Sequence, residues 1–174
     1  MQIMVRGATI DAMLDASKKV DRALKAGALA IGGKVEIQNR IGYLPLHSSR
    51  ELTAIYKENV EAYLGCTDDA FISQYVSAGS TDLGDISHIV PCLHIWTGGI
   101  SGALHASDFK VVDREASFIL PAKMMAMTAI DLLFDKASRA KAVMDAFHPV
   151  FTKDGYLAFL QEHSKLDFFD SSAL

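Results

Sequence analysis

The order of residue patterns in the first 43 residues is the feature that most constrains the fold of this chain. Residues 2–6 alternate weakly between apolar and polar side chains, and a helical pattern with Thr9 as its expected N-cap follows. Gly32 and Gly33 end the helix, and residues 35–43 then alternate with the period of two that is typical of a strand. The sequence therefore predicts a β-α-β unit. Two strands and one helix bury too little apolar surface to be stable alone, so we expect this unit to belong to a larger sheet.

Helical and strand-like patterns also alternate through the middle of the chain. Ser48 and Glu51 have the spacing of a capping box, and Gly65 ends the helix that follows. Residues 71–76 form a short β-prone run. Residues 78–85 are rich in Gly, Ser, Thr and Asp, which indicates a loop that caps a helical turn.

The last half of the chain is predicted to contain one strand and several helices. Residues 89–96 are almost entirely apolar and indicate a buried strand, with Pro91 near its beginning. Three helices are predicted, at residues 115–134, 138–147 and 155–163. The tail from Asp167 is expected to fray. This mixture of elements favours an α/β or α+β fold over an all-helical one.

Composition excludes several classes of protein. With 174 residues, of which 50% are hydrophobic, the chain can bury a core, and its net charge of −4 offers no basic surface for nucleic acid. Cys66 and Cys92 lack a metal-binding spacing and are expected to be reduced. Pro121, Lys123 and Asp131 interrupt the most apolar run, which argues for a helix buried in the protein core and against a membrane span. Because no secretory signal is visible, we expect a cytoplasmic protein.

Four segments in a fixed order give the most specific signal in the sequence. They are GSTDLGD at residues 79–85, VPCLH at 90–94, GALHASDF at 102–109 and PAKMMAMTA at 121–129. Together they resemble the C-terminal third of the M20 family of metal-dependent amidohydrolases and peptidases. The resemblance is strongest to the branch of aminobenzoyl-glutamate hydrolases and β-alanyl-lysine-type dipeptidases. The segments VRGATID, VEI and GYLPL at the front of the chain are similar to parts of the same family.

The resemblance implies a division of the chain into two parts. Residues 1–46 would form the second half of a lid or dimerisation domain, as a partial lid β-α-β unit. Residues 47–174 would form the C-terminal portion of a zinc-peptidase-like α/β catalytic domain. A half-lid would expose surface that its missing partner covers, so we expect a homo-oligomer that associates through the first 43 residues.

His105 is the candidate metal ligand, because it occupies the place where the family presents a histidine to a pair of divalent metal ions. A neutral imidazole on a loop suits zinc if a second group, such as Asp108 or a backbone carbonyl, fixes its tautomer. Without the resemblance, a single histidine in a loop is more often a surface or structural residue. The ordered motifs favour the ligand role.

Ser80, Thr81, Asp82 and His94 are the candidate substrate-binding residues. The first three resemble a family segment beside the substrate, where hydroxyls and the N–H groups at a helix start would hold a carboxylate or carbonyl. A simple N-cap explains the same residues equally well. His94 lies in the matching VP segment, but a histidine satisfied within the core is the commoner arrangement.

The departures from the family pattern limit what the chain can do alone. It contains no His-x-Asp pair and no Glu-Glu pair, so the other metal ligands and the glutamate base have no counterpart. We therefore expect no catalytic residue in this chain and no activity from it in isolation. In the complete enzyme, a divalent metal, zinc by preference, would promote hydrolysis of a small amide or dipeptide substrate such as an N-acyl amino acid. The alternatives are a non-catalytic oligomerisation or partner-binding module, one half of a split enzyme, and a chain that binds no metal.

Overall fold

The computed structural model of the chain describes residues 1–65 and 79–172. They belong to two compact units. The first comprises Met1–His47, Tyr75–Ile89 and Pro149–Leu174, and the second comprises Ser48–Gln74 and Val90–His148. Both units combine helices with short antiparallel strands, so the fold is of the mixed α+β class. The predicted strand at residues 71–76 lies outside the described residues.

The helices and strands of the described residues follow one another as α1, β1, α2, α3, β2, β3, α4, α5 and β4. The helices are α1 (Ile10–Ala30), α2 (Arg50–Leu64), α3 (Leu83–Ile86), α4 (Leu120–Ala146) and α5 (Lys153–Glu162). The strands are β1 (Lys34–Asn39), β2 (Ile100–Ser101), β3 (Lys110–Val111) and β4 (Lys165–Asp170).

The first unit contains a two-stranded sheet that contacts helix α1. Helix α1 begins as predicted, because the Thr9 hydroxyl oxygen accepts a hydrogen bond from the Ala12 backbone N–H at 3.2 Å. Strand β1 pairs antiparallel with β4, with Lys34 opposite Asp170 at one end. The hydroxyl of Ser171, which is buried, lies within 3.0 Å of the Ala28 carbonyl oxygen and so fastens the sheet to the end of α1.

The predicted β-α-β order is therefore wrong in two respects. Residues 1–7 form no strand, and the strand beside β1 comes from the other end of the chain. Residues 167–170 do not fray as predicted, since they form the last part of β4. Strand formation depends on a partner, and the partner of β1 is more than a hundred residues away in the sequence, beyond the reach of a local pattern.

Helix α2 in the second unit has the predicted ends, displaced at its start by one residue. Ser49, and not Ser48, is the N-cap, and its hydroxyl oxygen accepts a hydrogen bond from the Leu52 N–H at 3.2 Å. Gly65 ends the helix in the left-handed conformation, with φ of 62°. The side chains of Ile55 and Tyr56 on this helix are buried.

Helix α4 follows a π-helical turn at Glu115–Ile119 and is interrupted near its middle. Pro121, which has no N–H to donate, lies in its first turn. The backbone leaves the helical conformation between Phe134 and Ala137. This break confirms the prediction of two helices in this part of the chain, one ending at residue 134 and the next beginning at residue 138.

The predicted buried strand at residues 89–96 is wrong. Residues 91–99 form neither helix nor strand, and Val90 and Trp96 are exposed. Pro91 cannot donate a hydrogen bond to a neighbouring strand, and no strand of the described residues pairs with this segment. Cys92 in this segment is buried, as predicted, and burial raises the pKa of its thiol.

One described helical segment, Glu115–Ala146, has the length and apolar composition that would allow it to cross a membrane. Only 11% of its most apolar window is buried within the protein. The expectation that this run is a buried core helix is therefore wrong, whereas the absence of a membrane partner stays a prediction.

Candidate functional site

The predicted site residues are divided between the two units. Ser80, Thr81 and Asp82 belong to the first unit, whereas His94 and His105 belong to the second.

His105 lies at the tip of a small antiparallel hairpin in the second unit. Strands β2 and β3 pair through Ile100 with Val111 and Ser101 with Lys110, and residues 102–109 connect them. The whole connection is exposed, and His105 itself has a positive φ of 64°. A left-handed conformation is uncommon for residues other than glycine, and such strain recurs at functional sites. The hairpin thus presents the imidazole away from the body of the unit.

Gly102 allows this hairpin connection to close. Its φ is 87°, and a Cβ atom at this position would lie 2.5 Å from the Asp108 carbonyl oxygen. No side chain fits at that distance, so the glycine permits the close approach of the two ends of the loop. Gly102 is therefore the residue that fixes the path of the chain around His105.

The hairpin does not by itself form a metal site. Among residues 1–65 and 79–172, no group of three or more His, Cys, Asp or Glu side chains is placed to hold a metal ion. A catalytic zinc ion takes about three protein ligands, and His105 supplies one imidazole. The described residues therefore do not fit a complete zinc centre.

The segment from Ser80 to Asp82 immediately precedes helix α3, which has only four residues. The Thr81 hydroxyl oxygen accepts a hydrogen bond from the Leu83 N–H at 3.4 Å, while its hydroxyl group donates one to the Asp82 carboxylate at 3.1 Å. Asp82 makes no capping hydrogen bond of its own. Ser80 and Asp82 are exposed. Thr81 thus has the capping role, and the carboxylate of Asp82 faces solvent.

A cavity of about 380 Å³ lies beside α3 in the first unit. It is lined by Asp82, Leu83, Asp85, Ile86 and Tyr156. The two carboxylates differ in their surroundings, because Asp85 accepts a hydrogen bond from the Leu44 backbone N–H at 2.9 Å. Burial raises the pKa of Tyr156, and the neighbouring Asp85 carboxylate raises it further. The Asp85 carboxylate therefore already accepts a hydrogen bond within the fold, whereas the Asp82 carboxylate can still accept hydrogen bonds from a ligand in the cavity.

Sequence reasoning did not identify Tyr156 as a residue of this cavity. Tyr156 lies on α5, about seventy positions beyond α3 in the sequence, and a tyrosine in a helical pattern carries no local signal for such a contact. The glycine- and aspartate-rich pattern at residues 78–85 predicted a loop that caps a helical turn, and α3 follows residues 79–82.

His88 is the most enclosed histidine among the described residues, with an exposed fraction of 6%. Its Nε2 atom lies 2.8 Å from the Pro45 carbonyl oxygen, so Nε2–H donates a hydrogen bond. Its Nδ1 atom is buried and has no hydrogen-bond partner among the described residues. The ring packs edge-on against Phe151. His88 is thus a neutral side chain of the first unit's core.

His94 in the second unit is half-buried and packs edge-on against the indole of Trp96, with ring centroids 5.6 Å apart. His47 and His88 belong to the first unit, and His94 and His105 belong to the second. Among the described residues, no metal-binding group contains any of these four histidines.

Comparison with known proteins identifies relatives over most of the chain. The chain is 34% identical over 128 residues to human Xaa-Arg dipeptidase, in an alignment that covers 68% of this chain and 28% of the human protein. It is 30% identical over 130 residues to the mouse Xaa-Arg dipeptidase, with 70% of this chain and 30% of that protein covered. It is a distant homologue of a dipeptidase.

This homology confirms the predicted resemblance to the M20 family in its coarser form, since Xaa-Arg dipeptidase is an M20 peptidase. The chain spans less than a third of the length of the curated relatives it matches. No family model matches the sequence, and no solved structure matches it. The particular branch and the zinc-peptidase-like fold stay predictions, as does the division at residues 46 and 47.

Proposed function

We propose that this chain is the C-terminal portion of a metal-dependent amidohydrolase or peptidase that cleaves an amide bond in a dipeptide or N-acyl amino acid. The observation that carries the proposal is the homology to Xaa-Arg dipeptidase over about 70% of the chain. The ordered segments that contain Asp82 and His105 support it. Because more than two thirds of each relative lies outside the match, we propose that the chain alone is inactive.

His105 would contribute one ligand to a divalent metal ion, zinc by preference, whose remaining ligands come from outside the described residues. When bound, such an ion polarises the amide carbonyl and lowers the pKa of a water molecule. The support from this chain is the exposed imidazole at the tip of the β2–β3 hairpin. Gly102 would act as a positioning residue, because it sets the path of the loop.

Ser80, Thr81, Asp82 and His94 are proposed to contact the substrate. Of the two carboxylates at the cavity of the first unit, Asp82 is the better candidate because Asp85 already accepts a backbone hydrogen bond. An exposed carboxylate pairs well with a guanidinium group, which is the side chain of arginine. A dipeptide with a C-terminal arginine is therefore the substrate to test first, in keeping with the name of the relatives.

The test is a chimera in which this chain replaces the matching segment of human Xaa-Arg dipeptidase. We expect zinc-dependent hydrolysis of a Xaa-Arg dipeptide. His105→Ala in the chimera should lower kcat/KM by at least about 100-fold, since loss of even an outer-shell partner costs 10 to 100-fold. His148→Ala is the matched control, because His148 is exposed and lies outside every predicted motif.

Two results would decide against this proposal. A folded chimera that hydrolyses nothing would favour the non-catalytic binding module instead. A chimera whose activity is the same with and without His105 would remove that residue from the metal site. Asp82→Asn should raise KM for the arginine dipeptide and change KM for a dipeptide with C-terminal alanine much less.

A further inference from the structure

Before its break, helix α4 carries polar residues on the side that packs against the protein and apolar residues on the exposed side. A surface helix ordinarily packs its apolar side on the protein and exposes its polar side. In α4 the side that packs on α2 contains Thr128 and Asp131, and the Asn59 side chain of α2 donates a hydrogen bond to Asp131 at 2.8 Å. Met124 on the same side is fully buried.

The opposite side of this helix is entirely apolar and exposed. We call it the outer face of α4, and it consists of Ala122, Met125, Ala126, Ala129, Ile130 and Leu133. At 100° per residue these six positions occupy one continuous arc of about 140° on the helix surface. The exposed fractions of Met125, Ile130 and Leu133 are 67%, 64% and 74%. An apolar face of this kind, about 17 Å long, marks an interaction surface.

We propose that the outer face of α4 is a docking surface for protein, and that its occupant is the part of a Xaa-Arg-dipeptidase-like enzyme that lies outside the segment matched by this chain. This inference rests on the proposed function and adds the partner. The relatives carry more than two thirds of their length beyond the match, so their counterpart of this chain folds alongside a larger body of protein. An uncovered apolar face is what removal of that body would leave.

The polar side of the helix argues for a protein occupant over a lipid one. In a membrane-spanning bundle, charged residues face neighbouring spanning helices. Asp131 faces α2 and pairs with Arg139 at 3.7 Å, but α2 carries Lys57, Glu58 and Glu61 and is not among the described helices that are apolar enough to span a membrane. A helix that lies on a lipid surface carries a row of basic residues beside its apolar side. Before the break, α4 has a single basic residue, Lys123, which lies 2.8 Å from the Tyr63 hydroxyl of α2.

The experiment co-expresses the 174-residue chain with human Xaa-Arg dipeptidase from which the matching segment has been removed, and measures co-purification and affinity. We expect a complex of one copy of each. Leu133→Lys and Ile130→Lys, both at exposed positions, should weaken it at least tenfold. Leu29→Lys on α1, which is 53% exposed, is the matched control and should change the affinity less than twofold. Circular dichroism and Tm check that each variant folds.

Several results would overturn the docking proposal. The first is that no complex forms, and the second is that Leu29→Lys weakens the complex as much as Leu133→Lys does. The third is a homodimer of the wild-type chain that Leu133→Lys abolishes. The fourth is that the chain binds phosphatidylserine vesicles in place of protein. The two proposals fail separately, because docking is read from affinity and the hydrolase function from the activity of the chimera. A complex with an inactive chimera would leave the docking surface standing and remove the enzymatic function.

Discussion

The imidazole of His88 is stacked on that of His47, with ring centroids 5.4 Å apart and ring planes 14° from parallel. Burial lowers the pKa of His88, and the hydrogen bond to the Pro45 carbonyl partly offsets this effect. His47 lowers the pKa further, whereas Asp85 raises it. If both stacked rings carried a proton, two positive charges would lie side by side.

This arrangement predicts a pH dependence of stability. Because the pKa of His88 is lower in the folded chain than the 6.5 of an exposed histidine, the unfolded chain binds more protons in the interval between the two values. Stability is fully present above about pH 6.5 and is lost as the pH falls through the folded-state pKa. We expect the Tm of His88→Phe to fall less between pH 7 and pH 5 than that of the wild type. Equal slopes, with His148→Phe as control, would contradict the prediction.

The buried amide of Asn59 is predicted to stabilise the contact between α2 and α4. It donates to the Asp131 carboxylate at 2.8 Å and lies 3.2 Å from the Ile55 carbonyl oxygen. Asn59→Ala should lower the free energy of unfolding by about 1–3 kcal/mol, because a hydrogen bond to the half-buried carboxylate of Asp131 is lost. Asp145→Ala, at an exposed position on α4, should cost less than about 0.5 kcal/mol. Urea denaturation measures both, and an Asn59/Asp131 double-mutant cycle with no coupling would refute the interaction.

Substitution of Gly102 is expected to disturb the loop around His105. A Cβ atom there would meet the Asp108 carbonyl oxygen, and the positive φ adds strain. Gly102→Ala should therefore increase amide hydrogen exchange across residues 100–111. Gly98→Ala is the matched control, since a Cβ atom at Gly98 would meet nothing within 4 Å. Unchanged exchange in Gly102→Ala would show that the loop adapts to the extra atom.

Zinc titration of the isolated chain should give no tight, stoichiometric binding. His105 is one ligand, and no other described side chains form a metal-binding group with it. Calorimetry at pH 7 should give the same weak heat for the wild type and for His105→Ala. Tight binding that His105→Ala abolishes would mean that the chain completes a metal site, either alone or between copies.

Local patterns predicted the elements whose ends depend on nearby residues. Thr9 and Gly65 define helix ends through hydrogen bonds within one turn, and the break after Phe134 follows the change from an apolar run to Asp135 and Lys136. The short loop before α3 was recognisable for the same reason, since the Thr81 hydroxyl oxygen accepts a hydrogen bond from the N–H of Leu83, the first residue of α3. These features need no knowledge of the remaining chain.

Features that depend on distant residues were not predictable in this way. The apolar run from residue 89 resembles a buried strand, but a strand requires a partner, which the described structure does not provide there. The outward orientation of Leu133 was equally hidden, because an apolar helix in a sequence is normally read as part of a core. Tyr156 reaches the cavity only through the packing of α5.

The pairing of β1 with β4 determines when the sheet of the first unit can form during biosynthesis. Strand β1 leaves the ribosome more than a hundred residues before its partner β4. A growing polypeptide therefore keeps the hydrogen-bonding groups of β1 without this strand partner until β4 has been synthesised. Chaperone binding to the nascent first unit, and its sensitivity to premature release, should accordingly persist until β4 has emerged.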